Sequence, residues 1–490
     1  MFMSRVFAAL LLLSPLLASC ALGPRIRAPD THLPAAFEAP EAVTAPGVDL
    51  DRWWSAYHDP QLETLVDQAL TSAPDARSAV ARLAEARAVR SSALSAFDPQ
   101  GALQGSSTLT DTNTISGPGP IVIPAVPGVF PGASFDLSPS GTTYNQGANF
   151  NVSWELDLFG RRVATRRKAN ADVAAARFDY EASRTSLAAN VADQLFQARG
   201  LAIQLDDARE SARIQKQLLN VAQVKADHGL GAQSDADQVA AQTAQTDAEV
   251  ADLESQLHAA RRTLLVLLGR GADPLEGLPV PAEAGAPPKV PTTVPGALLA
   301  RRPDVQEAYA KLHSASGQLK IDELALFPKF TLQPGVSLSS SNVTGSPIVS
   351  DAWSIGLGAA LPILDRPRLQ AEIRAQGARA DQAVIAYEKA VQTAYGEAES
   401  ALVELTSDEL RVRLLTSGER QGRSAYDAAR KRYAMGMDDL SSVLTAERTW
   451  RTARTALTGA QVQALRRSVQ TFKALGGGWT PPTPARTRSS

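Results

Sequence analysis

Few residues of this 490-residue chain are equipped for covalent or metal chemistry. Cys20 is the single cysteine, so no intrachain disulfide can form. His32, His58, His228, His258 and His313 are scattered without metal-ligand spacing. No phosphate-binding glycine loop opens a helix, and there is no nucleophile elbow. The expectation is therefore no catalysis, no metal and no cofactor. Three groups remain: the Cys20 thiol, carboxylates beside two glycine-bearing turns, and a run in which amides and carboxylates alternate with apolar side chains.

The thiol comes first. Arg5 precedes an apolar run from Val6 to Leu17, broken only by Ser14-Pro15, and the run ends in Leu17-Ala18-Ser19-Cys20. A charged start, a short apolar stretch and small residues at the end make residues 1–19 a secretory signal, too short to span as a mature helix. Leu17, Ala18 and Ser19 directly before Cys20 resemble the bacterial lipobox, in which the thiol is diacylated and the signal is cut just before it. Residue 21 is alanine, not the aspartate that commonly retains lipoproteins in the inner membrane. The outer membrane of a Gram-negative cell is the expected destination, with roughly 0.8 kcal/mol of anchoring per buried methylene.

The alternating run is Asn149 to Phe159. Phe150, Val152, Trp154, Leu156 and Leu158 alternate with Asn149, Asn151, Ser153, Glu155 and Asp157. Period two makes this a strand with one apolar and one polar face. Asn149, Asn151, Glu155 and Asp157 are then expected toward water, and the apolar set toward lipid. Trp353, Ile355, Leu357, Ala359, Leu361 and Ile363 repeat the pattern, and Phe330, Leu332, Val336 and Leu338 make a third strand. A weaker, Gly/Ser-rich strand is expected around Leu103 to Leu109.

The elements that position these strands are duplicated. Ala73-Pro74-Asp75 is echoed by Arg302-Pro303-Asp304, and Asp98-Pro99 by Phe327-Pro328. Both prolines recur at one offset, 229 (303 − 74 and 328 − 99). Leu156 and Leu158 recur as Leu361 and Ile363, and Gly231 as Gly436, now at 205 (361 − 156 and 436 − 231). A single change in the offset, by 24, implies one loop of different length, Asp111 to Thr143 against Ser339 to Ser350. Each copy is thus a strand hairpin followed by a helix hairpin. Between Gly160 and His228 there is no proline, and small residues from Leu187 to Ala222 step by four and three as a coiled-coil seam.

Boundaries follow. Residues 20–60 form a lipid-anchored tether and its first packed segment. The first repeat is 61–272, with helices at about 61–97, 160–228 and 233–268 and strands at about 100–112 and 144–159. A Pro-rich linker occupies 273–295. The second repeat is 296–478, with helices at about 303–327, 366–434 and 439–475 and strands at about 329–340 and 351–364. A disordered tail is expected at 479–490. Net charge is −2, which gives no reason to expect nucleic acid as a partner. Four strands cannot close a membrane barrel and an open edge is forbidden in lipid, so the chain must oligomerise to eight or twelve strands.

Trp53-Trp54 with Asp59-Pro60, Trp154-Glu155-Leu156-Asp157-Leu158-Phe159-Gly160-Arg161, and Leu298-Leu299-Ala300-Arg301-Arg302-Pro303-Asp304 resemble the TolC-like outer-membrane factors, the outer-membrane lipoproteins of tripartite resistance-nodulation-division efflux systems. The resemblance covers nearly everything from Cys20 to Gly478. It implies a mainly α fold with a membrane β-barrel: a homotrimer with one twelve-stranded barrel, continued by a periplasmic helical barrel. It also implies a passive duct served by a periplasmic adaptor and an inner-membrane pump. The alternatives are the duct of a type I protein secretion system and, further off, a periplasmic adaptor lipoprotein. By the same resemblance, the turns at Gly229, Gly231 and Gly436 would form the periplasmic mouth and meet the adaptor. Relatives often hold that mouth with aspartates where this chain has Ser442 and Thr445. Asp235, Asp237, Asp438 and Asp439 are the replacement candidates for an acidic, cation-favouring rim. One departure from the relatives is Asp365-Arg366-Pro367-Arg368, where glycines are usual.

Overall fold

The computed structural model describes residues 26–38, 44–45, 49–113, 120–135, 141–291, 293–343 and 346–480. Leu17, Ala18, Ser19 and Cys20 lie outside them. The chain forms two compact units. One contains residues 88–170 and 313–380; the other contains 27–87, 171–312 and 381–480.

The first unit carries four long strands: β1 (Gln100–Thr112), β2 (Gly141–Leu156), β3 (Lys329–Val343) and β4 (Ser346–Ala360). They form one antiparallel sheet in the order β1-β2-β3-β4. The hairpin between β3 and β4 is tighter than expected, because the ladder continues to Val343↔Ser346. The long first loop contains a small hairpin of its own, Ile121–Ile123 against Ala133–Phe135. Its signal, the β-branched triplet Ile121-Val122-Ile123, is legible but hidden among prolines and glycines.

Among the described residues seven helices are longer than ten residues: α1 (Pro60–Ser72), α2 (Pro74–Ser95), α3 (Arg161–Asp227), α4 (Gln233–Leu267), α5 (Pro303–Leu324), α6 (Arg366–Ala434) and α7 (Leu440–Ala474). The helical stretch expected over 61–97 is divided at Ala73, with Pro74 opening the second helix. Pro74 forces Ala73 out of the helical region (ψ 141°), which ends α1 one residue earlier. Asp59 opens α1 by accepting from the Gln61 and Leu62 amides at 3.0 and 3.1 Å, with Pro60 at the first helical position.

The repeat register is also corrected. β1 and β3 are related by an offset of 229, as expected. The strand pair Gln100↔Ser153 recurs as Lys329↔Ala360, so β2 maps onto β4 at 207 (360 − 153), not 205. The turns agree: the positive-φ glycines are Gly229 and Gly436, and again Gly269 and Gly476, each 207 apart. Gly231 has no positive φ and is not the partner of Gly436. The offset therefore changes by 22 (229 − 207) across the one loop that differs. The pairing read from the sequence keeps the alternation all the same, because a shift of two leaves every side chain on its own face. In the corrected register Gly160, at φ +84°, corresponds to Pro367. Proline cannot take that φ, and α6 instead begins at Arg366, with Pro367 inside its first turn.

The core of the second unit gathers around Trp53, which is fully buried and stacks on Phe472 with centroids 5.7 Å apart. Leu62, Val66, Leu195, Leu264, Leu405 and Leu465 surround it. Arg199 forks onto Asp59 and donates to Gln61 Oε1 at 2.8 Å, tying α3 to the start of α1. Arg302 forks onto Asp304 at 3.0 and 2.6 Å and reaches Glu397 at 2.7 Å. The Arg-Arg-Pro-Asp motif is thus a brace between α5 and α6. Trp479, expected in a disordered tail, is buried against Phe178 and donates to the Arg301 carbonyl at 2.7 Å. Residues 481–490 lie outside the described part.

Candidate functional site: an amphipathic sheet and two helical turns

The pairing registers sort the sheet into two chemically opposite faces. Across the strands lie Leu103, Phe150, Val336 and Trp353 in one row. The rows on either side add Ile355 next to Pro334, and Leu338 between Ala148 and Asp351, the one carboxylate in these rows. Trp154, Leu332 and Leu357 continue the same face toward one end. Leu103, Val336, Trp353, Ile355 and Leu357 are all more than half exposed. So broad an apolar surface, uncovered among the described residues, requires an apolar solvent.

The opposite face carries the expected polar residues. Asn149 lies in a row with Gln104, Ser337 and Ala352, and Asn151 with Ala102, Gly335 and Ser354. Asn151 Nδ2 donates to Asn149 Oδ1 at 3.1 Å along the strand. A Cβ at Gly335 would fall 2.7 Å from Asn151 Oδ1, and one at Gly358 2.8 Å from Thr331 Oγ1. Glycine there makes room for neighbouring polar side chains. The rows through Asn149, Asn151 and Ser153 hold amides, hydroxyls and small residues, with no ionised group.

Two of the four expected water-facing residues sit at the strand end. Glu155 is paired with Arg161 at 3.4 Å. Asp157 is beyond β2, which stops at Leu156. Its carboxylate accepts from the Arg161 and Arg162 amides at 2.6 and 3.1 Å. Asp157 therefore caps α3 instead of lining the strand. Trp154, on the apolar side, donates its indole N–H to the Phe97 carbonyl at 3.1 Å.

In the second unit the α3–α4 and α6–α7 turns use one device. Leu230 N–H donates to the Lys225 carbonyl at 2.8 Å across Gly229 (φ +67°), and Met437 N–H to the Arg432 carbonyl at 2.9 Å across Gly436 (φ +73°). Both are helix ends closed through a left-handed glycine. Leu230, Met435 and Met437 are exposed on these turns.

The four candidate rim aspartates are not equivalent. Asp439 is the N-cap of α7, accepting from the Ser442 amide at 2.8 Å and the Ser441 hydroxyl at 3.0 Å. Bonds from Ser442 and Ser441 hold its carboxyl below the ordinary value. Asp438 lies 3.3 Å from the Arg432 guanidinium. Asp237 accepts from Gln233 at 3.1 Å, and Asp235 stands in the first turn of α4.

One group escapes sequence reasoning. Glu447 is fully buried in α7 beside Gln215 of α3, whose amide donates to Glu447 Oε2 at 3.2 Å. Among the described residues Glu447 Oε1 and Gln215 Oε1 have no hydrogen-bond partner, and Arg451 Nε stands 3.7 Å from Glu447 Oε1. A signal exists: Gln215 stands in the small-residue seam, where a polar side chain needs an answer from the facing helix.

The outer membrane efflux protein family model matches residues 65–270 and 294–477, and the chain belongs to that family. It is 30% identical to the pyoverdine export outer membrane protein OpmQ of Pseudomonas putida over 459 residues, covering 92% of this chain and 93% of the relative. The probable outer membrane lipoprotein SilC of Salmonella typhimurium is 26% identical, with 95% and 97% covered. Among solved structures, the outer-membrane channel OprN superposes with a TM-score of 0.76 at 28% identity, covering 94% of this chain and all of that one. The chain is an outer-membrane channel protein of a tripartite efflux system, trimeric and working with an adaptor and an inner-membrane pump. The family is one of ducts, not of enzymes.

Proposed function

We propose that the chain is a lipid-anchored, non-catalytic exit duct for small solutes delivered by a resistance-nodulation-division pump. The observation that carries this reading is the two-faced sheet. Its polar face, neutral around Asn149 and Asn151, offers hydrogen bonds to any hydrated solute and a strong charge to none. A lining of that kind discriminates little, so cargo is chosen at the pump. Relatives named for the export of pyoverdine and of toluene fit such a division of labour. Cys20 supplies the anchor, with Leu17-Ala18-Ser19 as its processing signal; intact-mass analysis of the N-terminal peptide reads this directly, and an unmodified Cys20 refutes it. The turns at Gly229 and Gly436 meet the adaptor, with Gly231 following the first of them. Expression in a host lacking its own outer-membrane efflux channels, with one pump and adaptor or with another, tests the whole. The exported set should follow the pump; a set that stays constant while the pump changes would place selectivity in this chain.

A further inference from the structure

Among the described residues the sheet has two unpaired edges, the outer side of β1 and the outer side of β4. β4 ends at Ala360, opposite Lys329, the first residue of β3, and the chain bends at Ile363. The alternation continues through Leu361 and Ile363, which stand 51% and 70% exposed. A strand edge in lipid must be paired, so these edges have an occupant. The trimeric reading of the channel names it as a second copy of this chain.

The internal repeat supplies the register. β1 maps onto β3 at an offset of 229 and β2 onto β4 at 207, and this mapping converts the observed pair Gln100↔Ser153 into the observed pair Lys329↔Ala360. The junction between the repeats is β2 against β3. In a closed ring the same junction must recur as β4 against the next copy's β1. We propose that it does so in the register obtained by carrying the β2–β3 pairs forward by 207 and back by 229. Trp154↔Leu332 then becomes Leu361 opposite Leu103 of the partner subunit. Ala148↔Leu338 becomes Ile355 opposite Leu109 of the partner subunit, and Gly147↔Ser339 becomes Ser354 opposite Thr110 of the partner subunit.

Two features are consistent with this register. The carried pairs keep the apolar face continuous, setting Ile355 and Leu361 against leucines; a slip of one residue would turn every side chain over. The register also extends β4 past Ala360 to Leu361, which gives the exposed Leu361 a place in the sheet. Pro362 then sits near a strand end, where the missing N–H is tolerated.

Disulfide trapping in the full-length trimer tests the register. Directly opposed residues lie about 4.5–5.5 Å apart between Cα atoms, inside the window a disulfide needs, whereas a residue two places along is about 7–8 Å away. Ser354→Cys with Thr110→Cys, and separately Gly356→Cys with Thr108→Cys, should give covalent trimers rapidly under mild oxidation. Ser354→Cys with Thr108→Cys, or with Thr112→Cys, should cross-link at least tenfold more slowly. The native chain, whose only cysteine is Cys20, is the control. Faster trapping in a slipped pair overturns the register, as does no trapping in chains that native mass spectrometry reports as trimers. Chains that remain monomeric by the same measurement overturn the trimeric reading itself, and the register with it.

Discussion

Arginine at Phe150 and arginine at Asn151 should have very different consequences, although the residues are adjacent. Phe150 lies on the apolar face: its row holds Leu103, Val336 and Trp353, and apolar rows continue through Val152 and Trp154 to Leu156, while on its other side the Ala148 row includes Asp351 and the Gln146 row holds Ser107 and Ser340 before Leu109 and Tyr144. An arginine on the lipid face near mid-membrane costs about 2–4 kcal/mol, falling to about 0–1 near the interfaces. Asn151 points the opposite way, beside Gly335, where the absent Cβ leaves space for a longer side chain. Arg there stays hydrated and should cost no more than about 1 kcal/mol. At about 1.4 kcal/mol per factor of ten, Phe150→Arg should lower the folded-to-unfolded ratio by roughly thirty-fold to a thousand-fold. Urea titration of protein folded into lipid vesicles reads the difference. Val336→Arg against Ser337→Arg repeats the comparison on β3, where the same two faces are presented. Equal tolerance within each pair would refute the assignment of the faces, and the membrane reading of the sheet with it.

Other outcomes follow from the second unit. Burial raises the Glu447 carboxyl above its ordinary value of 4.5, against the opposing pull of Arg451 and the bond from Gln215; Glu249 of α4 adds to the rise. The Glu447 charge is also felt by Tyr426 of α6. A raised folded value means the seam is most stable below the unfolded pKa and weakens as pH climbs through the folded one. The Glu447 contribution to thermal stability should therefore fall as pH rises from 4.5 upward, so the stability difference between the native chain and Glu447→Gln should change with pH; a difference that stays constant contradicts a buried acid there. Gly476→Ala should destabilise by about 2–4 kcal/mol, from a left-handed residue plus overpacking, because its Cβ would lie 2.7 Å from the Arg301 carbonyl at φ +77°. A melting temperature unchanged within error would refute it. If Asp438 and Asp439, with Asp235 and Asp237, form a cation-favouring rim, replacing Asp438 and Asp439 by asparagine should shift the reversal potential in a salt gradient. An unmoved potential leaves them as a partner of Arg432 and a helix cap.

The parts of the architecture governed by local periodicity can be read from the chain directly. Period two between Asn149 and Leu156 places each side chain on its face, and the step of four and three through Val191, Ala198, Leu205 and Ala212 marks residues that are buried. The errors arise where a local pattern is degenerate. Gly231 and Gly229 both satisfy a turn on paper, and only the backbone reveals which one carries the positive φ. Asp157 continues the alternation perfectly, but the strand has ended and two free amides of α3 claim its carboxylate. Pairing partners are non-local, so the extension of β3 and β4 to the tip of their hairpin, and the burial of Trp479 under Arg301, have no signal in any short window.

The most direct test joins pore, trimer and orientation in one recording. Asn151→Cys protein in a planar bilayer, exposed to a charged, membrane-impermeant thiol reagent, should lose current in up to three equal steps, one for each subunit. Phe150→Cys and the native chain should be unaffected. Block at Phe150→Cys with none at Asn151→Cys, or folded protein that conducts no current at all, would contradict the account.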